Sequence, residues 1–239
     1  MGAYHQMGHH SENLAFKPKL DRYAGAILSP VNYRLTEVTG QVEEIRLRKI
    51  GFDVVFDSQL YVPQSVRGEL PGWAYFPAAV DTADTADMQW WKAVIDKLVA
   101  TCSSFKPNAI CSPAYLPKAF TNGYYDQVVR IGAELASKLK GEKTRAIQTF
   151  VVSMPDLTDT GRALEIASIA SKSKTLELYL ILDTNIEPRR EIANGDGLRG
   201  AMVLVGALSR AGFKVLVGFC SSDIVLWKAA GATSVATGK

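Results

Sequence analysis

The sequence predicts an α/β protein with one parallel sheet, buried on both faces, wound with helices and closed as a barrel. Seven short apolar runs recur along the 239 residues, at 24–32, 52–59, 108–113, 149–156, 176–185, 214–223 and 233–239, and six of them are followed by a helical pattern. Each run is nearly continuous in apolar residues, as strands covered on both faces require. Each also ends in a small polar or acidic residue, and in such folds ligands sit at the carboxyl ends of the strands.

The elements follow in order. After the first run, Thr39-Gly40-Gln41 opens a charged helix over 42–49 with Val42, Ile45 and Leu47 as its apolar residues, and Gly51 stops it before the second run. The stretch 61–86, with Pro63, Pro71, Gly72, Trp73, Tyr75 and Pro77, is irregular, and its aromatic content predicts an ordered flap over the site or a loop packed on the outer helices. A helix over 87–105 carries Trp91, Val94, Ile95, Leu98, Val99 and Cys102 on one stripe, and Pro107 resets the chain for the third run. Tyr125, Val128, Gly132, Leu135 and Leu139 repeat the 3.6-residue period. Asp159 or Thr160 caps the next helix, Asp196 the one carrying Leu198, Met202, Val205 and Leu208, and Gly212 and Gly231 close the last two helices.

Composition narrows the class. With 47% hydrophobic and 21% charged residues and no Pro/Gly/Ser-rich linker, residues 21–239 read as one domain behind an N-terminal extension over 1–20. A net charge of +3 does not by itself imply nucleic acid. The three cysteines, Cys102, Cys111 and Cys220, form no C-x-x-C pair, no apolar stretch reaches membrane-span length and no signal-peptide region precedes the fold, so a reduced, cytoplasmic protein is expected. His5, His9 and His10 lie in a segment superficially like the join between a histidine tag and a protease site. No carboxylate is spaced to complete a metal site there.

The seventh run ends at Thr237-Gly238-Lys239, a polar turn of the kind that leads into another helix. A closed barrel of this type needs eight strands, so the eighth βα unit is expected beyond Lys239, the alternative being an incomplete or variant barrel that lacks it. No G-x-G-x-x-G follows the first run to mark a dinucleotide site in an open sheet.

The residues able to carry chemistry lie on the strand ends. Asp57, Asp156, Asp183 and Asp223 close or follow four runs, and barrel closure brings such carboxylates to one mouth, where their protonation can diverge. Asp57 and Asp183 end uninterrupted apolar runs and lead the catalytic candidates, with Asp156 third. Capping of the next helix is the competing role, chiefly for Asp156 and Asp223. Gln59 and Asn185 stand two residues beyond Asp57 and Asp183, so each pair offers an acceptor and an amide in one direction, and Asn32 takes the analogous place on the first run. Ser29-Pro30, Ser112-Pro113 and Ser153-Met154-Pro155 form a recurring strand exit, and Ser112 joins the substrate-binding candidates. With no G-x-S-x-G elbow and no histidine in the alternating region, a Ser-His-Asp triad is not expected.

The segment GFCSSDIVLWKAAGATSVATGK resembles the late βα units of (β/α)8 TIM barrels, where a strand, short helix, Ala-Gly-Ala turn and further strand present backbone N–H groups to a phosphate. The resemblance implies an anion site lined by Ser221, Ser222, Thr237 and Gly238, with Lys239 as counter-charge. A barrel with strand-end aspartates and an aromatic flap also resembles, in architecture alone, the tRNA-guanine transglycosylase group. That family's zinc motif of three close cysteines and a histidine is absent from the sequence. These features favour an enzyme acting on a phosphorylated or nucleotide-like ligand by glycosyl transfer or hydrolysis, with no cofactor or with Mg²⁺ held by carboxylates. The competing class is a non-catalytic barrel in a larger assembly, binding nucleic acid or protein through Lys172-Ser173-Lys174 and Arg189-Arg190.

Overall fold

The computed structural model describes residues 1–8, 23–48, 51–62, 66–77, 80, 83–184 and 194–237. Eight parallel strands close into one barrel in chain order: β1 (Gly2–Gln6), β2 (Gly25–Leu28), β3 (Asp53–Phe56), β4 (Ala109–Cys111), β5 (Arg145–Ser153), β6 (Glu177–Asp183), β7 (Lys214–Cys220) and β8 (Ser234–Thr237). Six α-helices among the described residues surround it: α1 (Leu35–Arg48), α2 (Met88–Cys102), α3 (Asn122–Lys138), α4 (Thr160–Ala170), α5 (Gly195–Arg210) and α6 (Ile224–Ala230).

The barrel closes at the N-terminus, and this corrects two expectations. Residues 2–6 are a strand rather than part of an extension, and β1 pairs with β8 through Gly2↔Ser234, Ala3↔Val235, Tyr4↔Ala236 and His5↔Thr237 and with β2 through Tyr4↔Gly25. No unit beyond Lys239 is needed to remove the sheet edge. The GAYHQ strand lacks an apolar run because its inward residues, Tyr4 and Gln6, make polar bonds inside the barrel, to Asp53 and Tyr179.

Strand alternation divides the core into two layers. Inward residues Ile27, Val55, Cys111, Ile147, Val151, Tyr179, Ile181, Leu216 and Ala236 fill the barrel. Their neighbours Leu28, Val54, Phe56, Ile110, Val152, Leu180 and Val217 pack outward under the helices, as a period of two dictates. Trp91, Leu98, Val128, Leu135 and Leu208 are buried in this outer layer, with Met202 partly buried against it. Each fully buried Leu or Val contributes about 1.5–3 kcal/mol relative to exposure.

Local signals were largely obeyed. Asp87 and Thr121 cap α2 and α3 by accepting from Gln89 N and Tyr124 N, and Asp159 caps α4 through Gly161 N. The α5 cap is Asn194 rather than Asp196, since Asn194 Oδ1 accepts from both Asp196 N and Gly197 N. Helix α1 begins ahead of the expected Thr39-Gly40-Gln41 start because Val38, Val42 and Ile45 are all buried, and that burial outweighs the helix cost of Gly40. The aromatic residues of 61–86 divide. Trp73 and Tyr75 belong to the outer layer against Phe56 rather than to a flap, with Trp73 Nε1 donating to Pro30 O and Tyr33 O.

The amino-terminal mouth is tied by charge. Arg145 bonds both carboxylate oxygens of Asp53 at 2.9 and 2.5 Å and Glu177 at 2.8 Å, while Tyr4 Oη donates to Asp53 at 2.6 Å. Burial opposes the guanidinium charge, but the bonds to Asp53 and Glu177 outweigh it and hold Arg145 above its ordinary range. A cavity of about 320 Å³ adjoins this cluster, lined also by Lys214 and Ser234. In barrels this face serves stability. Because the Arg145 side chain is 37% exposed, replacing it by alanine is expected to cost about 2 kcal/mol, below the loss for a fully buried pair. Urea unfolding measures it, and a change under about 0.5 kcal/mol would show the cluster to be inert.

Candidate active site

At the opposite, carboxyl end of the strands, one carboxyl group is held out of water. Asp57 follows β3 on the same strand face as inward Val55, and it is 1% exposed. Its Oδ2 accepts from Tyr61 Oη at 2.5 Å and its Oδ1 from Gln59 N at 3.0 Å. Burial disfavours the charged form and the two hydrogen bonds only partly offset it, so the carboxyl is pushed up to about 6. A group of this kind exchanges protons near neutral pH.

Its surroundings are inward side chains of other strands. Burial first, and then the Asp57 charge, push the Tyr179 and Tyr61 hydroxyls and the Cys111 thiol well above their ordinary ranges. Cys111 is thus a protonated thiol and not a nucleophile at neutral pH. Tyr179 Oη accepts from Gln6 Nε2 at 3.1 Å, and Gln6 Oε1 accepts from Phe219 N at 3.1 Å, linking β6, β1 and β7. Beside Asp57, Gln59 Oε1 accepts from Ser29 Oγ at 2.8 Å and Val31 N at 3.3 Å, and Asn32 Nδ2 donates to Ser29 Oγ at 2.7 Å. Gln59 and Phe219 both hold left-handed backbone, φ 52° and 55°, a conformation that costs a non-glycine residue about 1 kcal/mol. Both lie at strand ends of this mouth.

The remaining candidates fall in several environments. Asn32 and Gln59 thus sit in one network on the β2 and β3 exits next to Asp57. Asp183 ends β6 on the inward face shared by Tyr179 and Ile181, partly exposed, and its carbonyl accepts from Met154 N at 2.8 Å. Asp156 lies in the 3₁₀ turn Asp156–Thr158 after β5, near enough to Tyr125 to raise its hydroxyl after burial has done so. Ser112 is buried and spends its hydroxyl oxygen on Thr149 N at 2.9 Å and Gln148 Nε2 at 3.2 Å, which ties β4 to β5. Asp223 accepts from Ser221 N at 2.7 Å and Trp227 Nε1 at 2.9 Å, local bonds that secure α6. Ser222 is exposed, and Thr237 pairs with His5 and Cys220 at the end of β8. Asn185, Gly238 and Lys239, like His9, His10, Arg189 and Arg190, lie outside the described residues.

Sequence reasoning missed Tyr61, Tyr179, Cys111 and Gln6. Tyr179 was findable, standing four residues before Asp183 and so on the same strand face. Nothing local marks Gln6, whose partners lie 173 and 213 residues away.

No family model matches the chain, and no curated protein matches it. Solved structures do. An HpcH/HpaI aldolase/citrate lyase family protein from Burkholderia cenocepacia J2315 aligns with TM-score 0.56 at 12% identity, over 99% of this chain and 87% of that one. A GH18 chitinase from Pseudoalteromonas aurantia aligns with TM-score 0.53 at 11% identity, over 99% and 93%. A family 2 AP endonuclease from Brucella melitensis aligns with TM-score 0.53 at 12% identity, over 99% and 92%. These likenesses and the closed eight-stranded sheet place the chain in the (β/α)8, or TIM-barrel, fold. At such identities fold is what is shared.

Proposed function

We propose that this protein is a cytoplasmic TIM-barrel enzyme that acts on a phosphorylated or nucleotide-like small molecule, with Asp57 as the proton-transfer group. The observation that carries the reading is the Asp57 carboxyl, buried at the carboxyl end of the barrel and poised near pH 6. Asp183 on the inward face of β6 supplies a second carboxyl group, and Asp156 a third on the turn after β5. Two carboxyl groups in unlike surroundings are what glycosyl transfer or hydrolysis requires, one giving a proton while the other stays charged. Ser222, Thr237, Gly238 and Lys239 are the proposed phosphate contacts. Among the described residues no three His, Cys, Asp or Glu side chains gather for a metal, so a Mg²⁺ ion would rest on a carboxylate together with substrate phosphate oxygens. Three free, buried cysteines suit a reducing compartment.

Thermal denaturation with ribose 5-phosphate, AMP and inorganic phosphate tests the reading. At least one is expected to raise Tm by a few degrees at 100 times its Kd, as binding to the native state alone requires. Asp183→Asn is expected to reduce that shift. No shift with any of them would favour a non-catalytic barrel.

That alternative has one observation of its own. A groove of about 730 Å³ on the outer face is lined by Arg46, Lys106, Lys138 and Lys143 against Glu142, a charge balance that suits an acidic protein or nucleic-acid partner. Lys138 and the expected surface cation Lys172 are already paired, with Asp96 and Asp126.

A further inference from the structure

We propose that the carboxyl mouth of the barrel holds a flat heteroaromatic ring, stacked on Phe219 and bordered by Phe120 and Tyr61. The inference rests on the active-site reading and names the substrate class for it. The barrel interior ends on this side in three aromatic rings left partly exposed, Tyr61 after β3, Phe120 after β4 and Phe219 in β7. Tyr4, also partly exposed against the interior, belongs to the opposite mouth. Trp73 and Tyr75, from the same loop as Tyr61, are by contrast wholly buried in the outer layer.

The backbone around Phe219 is arranged at a cost. A register shift between Val217 and Cys220 breaks the β7–β8 ladder, Phe219 stands at φ 55°, and its N–H is fixed by Gln6 Oε1. The residue before it must be glycine, because a Cβ on Gly218 would lie 2.5 Å from the Tyr179 ring. A glycine inside a strand and a phenylalanine in left-handed backbone are both unfavourable choices, and closing an apolar interior requires neither. Together they re-aim one ring, as bulges near active sites do.

The border supplies a polar edge. The Tyr61 hydroxyl donates to Asp57 and keeps lone pairs for a ring N–H, while Asp57 can itself exchange a proton with a ring nitrogen. Stacking faces beside a donor and acceptor edge suit a nitrogen heterocycle rather than a bare sugar or an aliphatic acid.

Titration calorimetry of the full chain with adenine, guanine, cytosine and nicotinamide, and with ribose 5-phosphate as the ring-free probe, tests this. At least one ring is expected to bind, and Phe219→Leu to weaken it about tenfold while leaving ribose 5-phosphate unchanged. Phe219→Gly removes the ring and relieves the backbone, so it is expected to weaken the same ligand with Tm equal to or above the wild type. Failure of all four rings to bind, or affinities in Phe219→Leu within twofold of wild type, would overturn the proposal. Failure of all four rings while ribose 5-phosphate still binds in an Asp57-dependent way would refute the ring and leave the active-site reading standing. Silence of every probe would refute both.

Discussion

Replacing Asp57 by asparagine is expected to abolish turnover and, at the same time, to make the barrel more stable above pH 6. The carboxyl is raised from 3.8 to about 6 by burial, so the native state holds its proton more tightly than the unfolded chain does. The corresponding stability is fully present below about pH 4 and is lost as pH rises through 6. A shift of about two units corresponds to on the order of 3 kcal/mol at most, and relaxation in the variant brings the expected gain at pH 8 to about 1–2 kcal/mol. Asparagine keeps both local bonds, its carbonyl accepting from Gln59 N and its amide donating to Tyr61 Oη. Loss of a general acid or base lowers the rate by about 10²–10⁴. Denaturation of both proteins at pH 4 and pH 8 separates the effects, and a variant less stable than wild type at pH 8 would show Asp57 to be a structural group.

Gly200→Ala is expected to destabilise the fold by about 3 kcal/mol or more, while Gly40→Ala, also in a helix, should stabilise it by about 0.5–1 kcal/mol. A Cβ at Gly200 of α5 would stand 1.7 Å from the carbonyl oxygen of Leu157 and 2.7 Å from its carbon, in the turn following β5. Leu157 is fully buried, so the backbone cannot move aside without opening the α4–α5 seam. At Gly40 nothing lies within 4 Å, and only the helix preference of alanine remains. For a chain of 239 residues these values correspond to Tm changes of roughly −6 to −12 °C and +1 to +4 °C. Equal signs for the two substitutions would refute the close-approach argument.

The site was partly legible before any fold was known. Asp57 could be chosen because it ends an uninterrupted apolar run, and Gln59 because it follows at the spacing that turns two side chains the same way. Those are local properties of an extended chain. Asn32 entered by analogy of position, and the Ser29 bridge joins it to Gln59. Ser112 and Asp223 obeyed the same rule, yet their oxygens serve the β4–β5 seam and α6. A polar residue at a strand end satisfies either its own backbone or a ligand, and composition does not distinguish the two.

Periodicity alone established the class of this protein: apolar runs at strand length alternating with 3.6-residue stripes leave a parallel sheet covered by helices as the arrangement that buries both faces. It also placed the strand ends, and with them the leading carboxylate. The closing strand, by contrast, emerged with the folded barrel. GAYHQ turns Tyr4 and Gln6 inward through bonds to Asp53 and Tyr179, partners 49 and 173 residues away, so its strand character is a property of the closed sheet. The proton affinity of Asp57 and the backbone of Phe219 belong there too. Desolvation by the surrounding strands sets the first and a hydrogen bond to distant Gln6 fixes the second, and neither exists until distant segments have packed.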